Sequence, residues 1–194
     1  MAFINEKIIL ASQSPRRKQL LQWAELDFNV VVPGTDEAYP ADLAMEEIPV
    51  YIAAAKAGAV KSKLDSPAII LAADTVVVLD QQIIGKPSNR EDAIRILSAL
   101  SGRQHRVITG VVIDTPSTSR QFHDITFVTF HTLTRRQIEY YVDRYTPFDK
   151  AGAYAIQEWI GVVGIKSVDG DFYNVMGLPV SRVLQALGEL TEKK

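Results

Sequence analysis

The chain contains no cysteine among its 194 residues. That excludes disulfides, thiolate metal sites and a cysteine nucleophile, and it is compatible with a reducing cytoplasm. Long apolar runs are missing as well. No stretch approaches the roughly 20 apolar residues that span a bilayer, and the run after Glu6 and Lys7 is too short for the core of a signal peptide. A soluble, cytoplasmic protein without a membrane partner is the expectation. A basic surplus is also lacking. The formal net charge is -2, whereas a dedicated nucleic-acid binder carries an excess of Lys and Arg, so no nucleic-acid partner is expected. A local cluster of basic residues could still hold a small anion.

Several catalytic signatures are absent too. No stretch matches the P-loop pattern G-x-x-x-x-G-K-[ST], and no G-x-S-x-G elbow is present to activate a serine. His105, His123 and His131 lack zinc-ligand spacing and read as structural or surface residues. There is no internal repeat, low-complexity tract or linker, so residues 1–194 read as a single domain.

What is present suits a substantial core: 47% of residues are hydrophobic and 23% charged. The length fits one large domain or two small lobes around a shared cleft. Ile8 to Ala11 reads as a short buried strand. Ser14 suits an N-cap and Pro15 the first helical position, predicting a helix to about Trp23. Phe28 to Val32 is a second strand, and the Ala-rich stretch Ile48 to Lys63 a helix. Ala68 to Ala73 is an apolar strand that reaches Asp74-Thr75, continues through Leu79 and turns at Asp80-Gln81. Ser88 with Glu91 predicts a capping box for a helix to Leu100, and Thr134 with Gln137 starts another. Val107 to Ile113, Ile125 to Phe130 and Val162 to Val168 read as strands, and Pro179 opens a C-terminal helix. Helices alternate with strands early and hairpins dominate later, which predicts an α/β fold with a long mixed sheet.

Two constellations carry the chemistry. Ser12-Gln13-Ser14-Pro15-Arg16-Arg17 lies between a strand and a helix, where free amides and guanidinium forks suit phosphate oxygens. The bland alternative is a capped helix with solvated arginines. Basic residues at a helix start oppose its dipole, which tilts the balance towards function. Asp74 follows five apolar residues, so a buried strand delivers a carboxylate to its end, where ligands of α/β folds collect. There it could hold Mg²⁺ or take a proton from water; the alternative is a turn residue. Asp36-Glu37 offers hard oxygen ligands in a loop, though loop acids are usually just solvated. Lys56 and Lys86 are lone lysines of the kind more often found at the surface. Lys86 is the better candidate, because Gly85 and Pro87 fix its backbone.

Six blocks, in order, resemble the Maf family of nucleotide pyrophosphatases: Leu10 to Arg17, Ala73 to Val77, Ile84 to Pro87, Ser101-Gly102 with His105 and Thr109-Gly110-Val111, Asp149 to Tyr154, and Asn174 to Pro179. The resemblance implies an inosine-triphosphatase-like fold, with an elongated mixed sheet and two lobes around a central cleft, often as a homodimer. It implies that Asp74 is the proton acceptor. Arg16, Arg17, Lys56 and Lys86 would line the phosphate side, with Ser12 and Ser14 in the same segment as the arginines. Glu37 would join Asp74 in holding a divalent metal cation, Mg²⁺ or Mn²⁺. Arg16, Thr75 and Gln157 match the trio of the branch similar to dTTP/UTP pyrophosphatases. The chain departs from the family where Gly-Ile-Gln-Gly is replaced by Ala155-Ile156-Gln157-Glu158, and where Gln13 replaces a small residue.

The expected substrate is thus a nucleoside triphosphate, cleaved to the monophosphate and pyrophosphate. Gln157 would read the pyrimidine edge, because an amide offers a donor and an acceptor together. Two rivals stand beside this reading: a 7-methyl-GTP pyrophosphatase, and a non-catalytic nucleotide-binding regulator of cell division. The retained Asp74 weighs against the second.

Overall fold

Apolar runs and capping residues place most elements where the sequence predicts them. The computed structural model describes residues 7–191, so Glu6 lies outside it. Contacts divide the chain into two units. One holds the stretch up to Asp74, Thr109–Asp124 and the stretch from Gly177 onward; the other holds Thr75–Ile108 and Ile125–Met176.

In the first unit, strand β1 (Ile8–Ala11) leads into helix α1 (Pro15–Trp23). Ser14 caps that helix by accepting the Arg17 amide at 3.5 Å, and Pro15 needs no partner for a missing N–H there. Strand β2 (Phe28–Val30) and helix α2 (Ile48–Lys61) follow, each two residues shorter than predicted. Strand β3 (Ile69–Leu79) begins in this unit and runs without a break into the second. Parallel pairing of β1 with β2 and with β3 sets the register Ile8↔Ile69 through Ala11↔Ala72. Ala53, Ala57 and Val60 of α2 pack on Ile9, Ala11, Ile70, Ala72 and Val112. The small alanines let helix and sheet approach closely, and helix α7 (Val180–Thr191) ends the unit.

The second unit takes β3 onward from Thr75. Its hairpin partner β4 (Gln82–Ile84) was not expected from the sequence. The two-residue turn puts Asp80 and Gln81 both at positive φ, 49° and 62°. Such turns usually advertise themselves through Asn or Gly, which this one lacks. Helix α3 (Arg90–Leu100) is capped by Asn89 rather than Ser88, one residue later than predicted. Asn89 accepts the Asp92 amide at 2.9 Å, and the Asp92 carboxylate in turn accepts the Ser88 amide at 3.0 Å. Strands β5 (Gln104–Asp114) and β6 (Ser119–Phe130) are longer than their apolar cores suggested. Helix α4 (Arg135–Tyr145) carries the predicted Thr134–Gln137 capping box.

The strand predicted from Val162 begins later. Residues Trp159–Gly164 form helix α5, and only then does strand β7 (Ile165–Asp169) start. Gly161 decides this: a Cβ there would lie 1.7 Å from the Ile156 carbonyl oxygen, so the helical turn closes on the preceding chain only with glycine. Tertiary packing thereby overrides the β propensity of Val162 and Val163. A short helix α6 (Phe172–Val175) completes the unit.

Among the described residues seven strands form one sheet in the order β2-β1-β3-β5-β6-β7, with β4 on β3. Parallel pairs at β1 and antiparallel pairs at β4 and β7 make it mixed, as expected for this α/β class. Among the described residues no helix is long and apolar enough to cross a membrane.

Candidate functional site

Asp74 is not at the end of its own strand, because β3 continues to Leu79. Its opening comes from the neighbour. β1 ends at Ala11, opposite Ala72, so the chain there leaves the sheet two residues before Asp74. The carboxylate continues the face of Ile70 and Ala72, since side chains alternate along a strand. It therefore stands one step beyond the apolar contact between β3 and α2.

Lys56 meets it there. On α2 it lies three residues after Ala53 and four before Val60, on the helix face that packs against the sheet. Its side chain is buried, and Nζ donates to Asp74 Oδ1 at 2.6 Å and to Glu37 Oε1 at 2.8 Å. Asp74 is buried as well, whereas the Glu37 side chain is 49% exposed. The loop acid and the strand acid thus converge on one ammonium group. Glycine at position 110 makes the helix placement possible. A Cβ there would lie 2.2 Å from the Val50 nitrogen and 2.3 Å from the Pro49 carbonyl carbon, at the start of α2.

The segment after β1 supplies the remaining charge. Ser12 is buried, and its hydroxyl accepts the Ser14 amide at 3.0 Å and an Arg17 guanidinium N–H at 3.4 Å. Arg17 Nε donates to the Gly177 carbonyl at 2.8 Å, so this arginine is fixed from two directions. Burial lowers the Arg17 pKa from its ordinary value; the Asp74 and Glu37 carboxylates oppose that shift, and Arg16 adds to it. A guanidinium nevertheless keeps its charge at any physiological pH. Three cations (Arg16, Arg17 and Lys56) and two carboxylates therefore share one electrostatic neighbourhood beside the N-terminus of α1. A helix N-terminus with flanking cations suits an anion.

The structure thus brings together Ser12, Ser14, Arg16, Arg17, Glu37, Lys56 and Asp74 in the first unit. The lysines fall in the opposite order to the one the sequence suggested: Lys56 is buried in the charge cluster and Lys86 is exposed. Nothing in the sequence identified the Gly177 carbonyl as the anchor of Arg17. Gly110 stood in one of the six blocks and within a predicted strand, where a glycine is a sign of close backbone approach.

Thr75, Lys86 and Gln157 belong to the second unit. Thr75 is half-buried directly after Asp74 on β3. Lys86 follows Gly85, whose carbonyl accepts the Gly152 amide at 3.2 Å. Gln157 is exposed on a turn between β6 and β7, closed by the Glu158 amide on the Ala155 carbonyl at 3.1 Å. Of the histidines, His105 is buried, with Nε2 2.7 Å from the Tyr154 hydroxyl and a stacked Phe130 ring. Burial lowers its pKa from 6.5 to about 4. Neutral and enclosed, it has the structural character read from the sequence.

The chain is 48% identical over 185 residues to a dTTP/UTP pyrophosphatase of Bacteroides thetaiotaomicron, covering 95% of this chain and 96% of that one. A dTTP/UTP pyrophosphatase of Cytophaga hutchinsonii is 49% identical over 186 residues, 96% of this chain and 85% of the other. The match to one from Porphyromonas gingivalis is 48% over 189 residues, covering 96% and 95%. Among solved structures, a HAM1 protein from Coxiella burnetii aligns at 16% identity with a TM-score of 0.41, covering 64% of this chain and 73% of that one. So distant a likeness carries no conclusion. The profile of the Maf-like proteins, by contrast, matches residues 7–190, and the chain belongs to that family.

Proposed function

We propose that this chain hydrolyses dTTP and UTP, and pyrimidine nucleotides modified from them, to the monophosphate and pyrophosphate. The observation that carries the reading is the buried Lys56 bridge between Asp74 and Glu37 beside the α1 N-terminus. Kinship with enzymes named dTTP/UTP pyrophosphatase supports the substrate. Water attacks the α-phosphorus, the bond to the oxygen bridging to the β-phosphorus breaks, and pyrophosphate leaves. Lys56 engages Asp74 Oδ1, so Oδ2 is the atom assigned to accept the water's proton. Arg16 and Arg17, with Ser12 and Ser14, bind phosphate oxygens through cations and the free amides of α1, where charge develops on the leaving group.

Among the described residues, no group of three or more His, Asp or Glu gathers to hold a metal ion by itself. Mg²⁺, however, is typically bound through one or two carboxylates with substrate phosphates completing its shell. Glu37 and Asp74, two oxygen donors converging on Lys56, fit that pattern, and Mn²⁺ would use the same donors. When bound, the cation would neutralise charge on the phosphates. Lys86 is assigned to the phosphates, and Thr75 and Gln157 to the base, on the family resemblance. The same resemblance supports a homodimer.

The test is pyrophosphate release from dTTP, UTP, CTP, GTP and 7-methyl-GTP with Mg²⁺ or Mn²⁺. Preference for dTTP and UTP is the expected result. Preference for 7-methyl-GTP would keep the chemistry and overturn the substrate. Absence of turnover by folded, metal-supplied protein would favour a nucleotide-binding regulator.

A further inference from the structure

The turn that presents Gln157 is gripped at both corners by one buried hydroxyl. Tyr141, on α4, is fully buried, and its ring stacks on Tyr145. Its hydroxyl accepts the Ala155 amide at 3.1 Å and donates to a Glu158 carboxylate oxygen. Ala155 and Glu158 are the first and last residues of the turn, and the Glu158 amide closes it on the Ala155 carbonyl. Buried Lys150 adds a third hold, with Nζ 3.6 Å from the other Glu158 oxygen and 2.8 Å from Asp149. Behind the turn, the Ile156 carbonyl lies against Gly161, where no side chain fits. Gln157 is exposed on a backbone whose neighbours on both sides are fixed.

The gripped corners are Ala155 and Glu158, and neither is a glycine. A glycine at position 158 would leave the Tyr141 hydroxyl one corner to hold instead of two. Glycine would also restore backbone freedom to the residue after Gln157.

We propose that Glu158 and Tyr141 are positioning residues that hold the Gln157 turn in one conformation and thereby sharpen discrimination for the pyrimidine base. This inference rests on the assignment of Gln157 to the base. An amide distinguishes its donor from its acceptor only when its orientation is fixed, so a turn free to reorient would recognise the base less well. The chemical step at phosphorus lies outside the role of this turn. Its loss should therefore appear in KM for pyrimidine nucleotides and spare kcat.

The experiment measures kcat and KM for dTTP, UTP and GTP, with thermal unfolding, in the wild type and four variants. Glu158→Gly and Tyr141→Phe should each raise KM for dTTP and UTP by about tenfold, the scale of one lost hydrogen bond, while GTP kinetics stay unchanged. Glu158→Gln still accepts the hydroxyl's hydrogen bond and should remain near the wild type. Should Tyr141→Phe fail to fold, the half-buried Glu158 decides the matter alone. Equal losses for all three nucleotides would mark a merely structural role and overturn the proposal, as would unchanged discrimination in Glu158→Gly. Gln157→Ala separates the two levels. If it leaves the pyrimidine preference intact, the assignment of Gln157 fails and the clasp falls with it. If it removes the preference while the clasp variants keep it, the clasp alone is wrong.

Discussion

Lys56 is where stability and chemistry meet most closely. A buried ammonium and a buried carboxylate 2.6 Å apart stabilise each other mainly by avoiding an uncompensated charge. Asp74→Asn keeps an oxygen for Lys56 to bind but loses the basic carboxylate. It should unfold near the wild-type temperature while losing at least a thousandfold of kcat, on the order of the steepest losses of a general base; substantial remaining activity would remove Asp74 from the role of base. Lys56→Ala should behave differently, costing about 3 kcal/mol of stability as well as activity, because Asp74 is left buried without the ammonium it bonds. Urea unfolding of the two variants separates these outcomes. At this scale the sequence was partly legible. The apolar run Ile69 to Ala73 announced a buried strand that delivers Asp74, though not that the strand continues past it to Leu79, and Ser14-Pro15 announced the cap. Lys56 was underrated, although its spacing from Ala53 and Val60 places it on the apolar stripe of α2. What sequence could not supply was the partner. Glu37 arrives from a loop, and the Gly177 carbonyl that fixes Arg17 arrives from a distance of 160 residues.

Helix α2 brings its lysine to Asp74 only because β5 carries a glycine where the helix begins. Gly110→Ala would thrust a methyl group to within 2.2 Å of backbone that has no flexible end to move aside. The helix must shift, at a cost of about 2 kcal/mol, and Lys56 shifts with it. Denaturant midpoints should fall and turnover should fall with them; a fully active, fully stable Gly110→Ala would refute the link between helix placement and site. The elements of the second unit give a pH prediction. Burial holds His105 at about 4 against 6.5 in the unfolded chain. Between those values the unfolded state binds the extra proton. The stabilisation is therefore complete above about pH 6.5 and is lost as pH falls towards 4, amounting to about 3 kcal/mol at most. His105→Gln, which can still bond Tyr154, should flatten that part of the stability profile relative to the wild type; an identical slope would mean His105 titrates normally. Elements with side-chain caps, such as α1 and α4, were legible in the sequence. Helix α5 was not, because its β-branched residues point to a strand and only Gly161 against the Ile156 carbonyl reverses that. The turn at Asp80-Gln81 was legible although it lacks the glycine or asparagine that such turns favour; strand β4 after it, only three residues long, was not.

At the scale of the whole molecule, six short blocks spread from Leu10 to Pro179 pointed to the family before any contact was known, and the Maf-like profile matching residues 7–190 agrees with them. They include points where backbone and charge coincide. Ser12, Ser14 and Arg17 wrap the start of α1, Gly110 admits α2, and Gly177 closes on Arg17. In the mixed sheet, parallel strands around β1 end early and leave Asp74 beyond the apolar packing, while hairpins elsewhere in the sheet need no crossover helices. Hydrolysis of dTTP in ¹⁸O-labelled water with Mg²⁺, followed by mass spectrometry of the products, shows which phosphorus the water attacks. Label in the thymidine monophosphate, with unlabelled pyrophosphate, is expected; label in orthophosphate alongside thymidine diphosphate would place the attack at the γ-phosphorus and refute attack at the α-phosphorus.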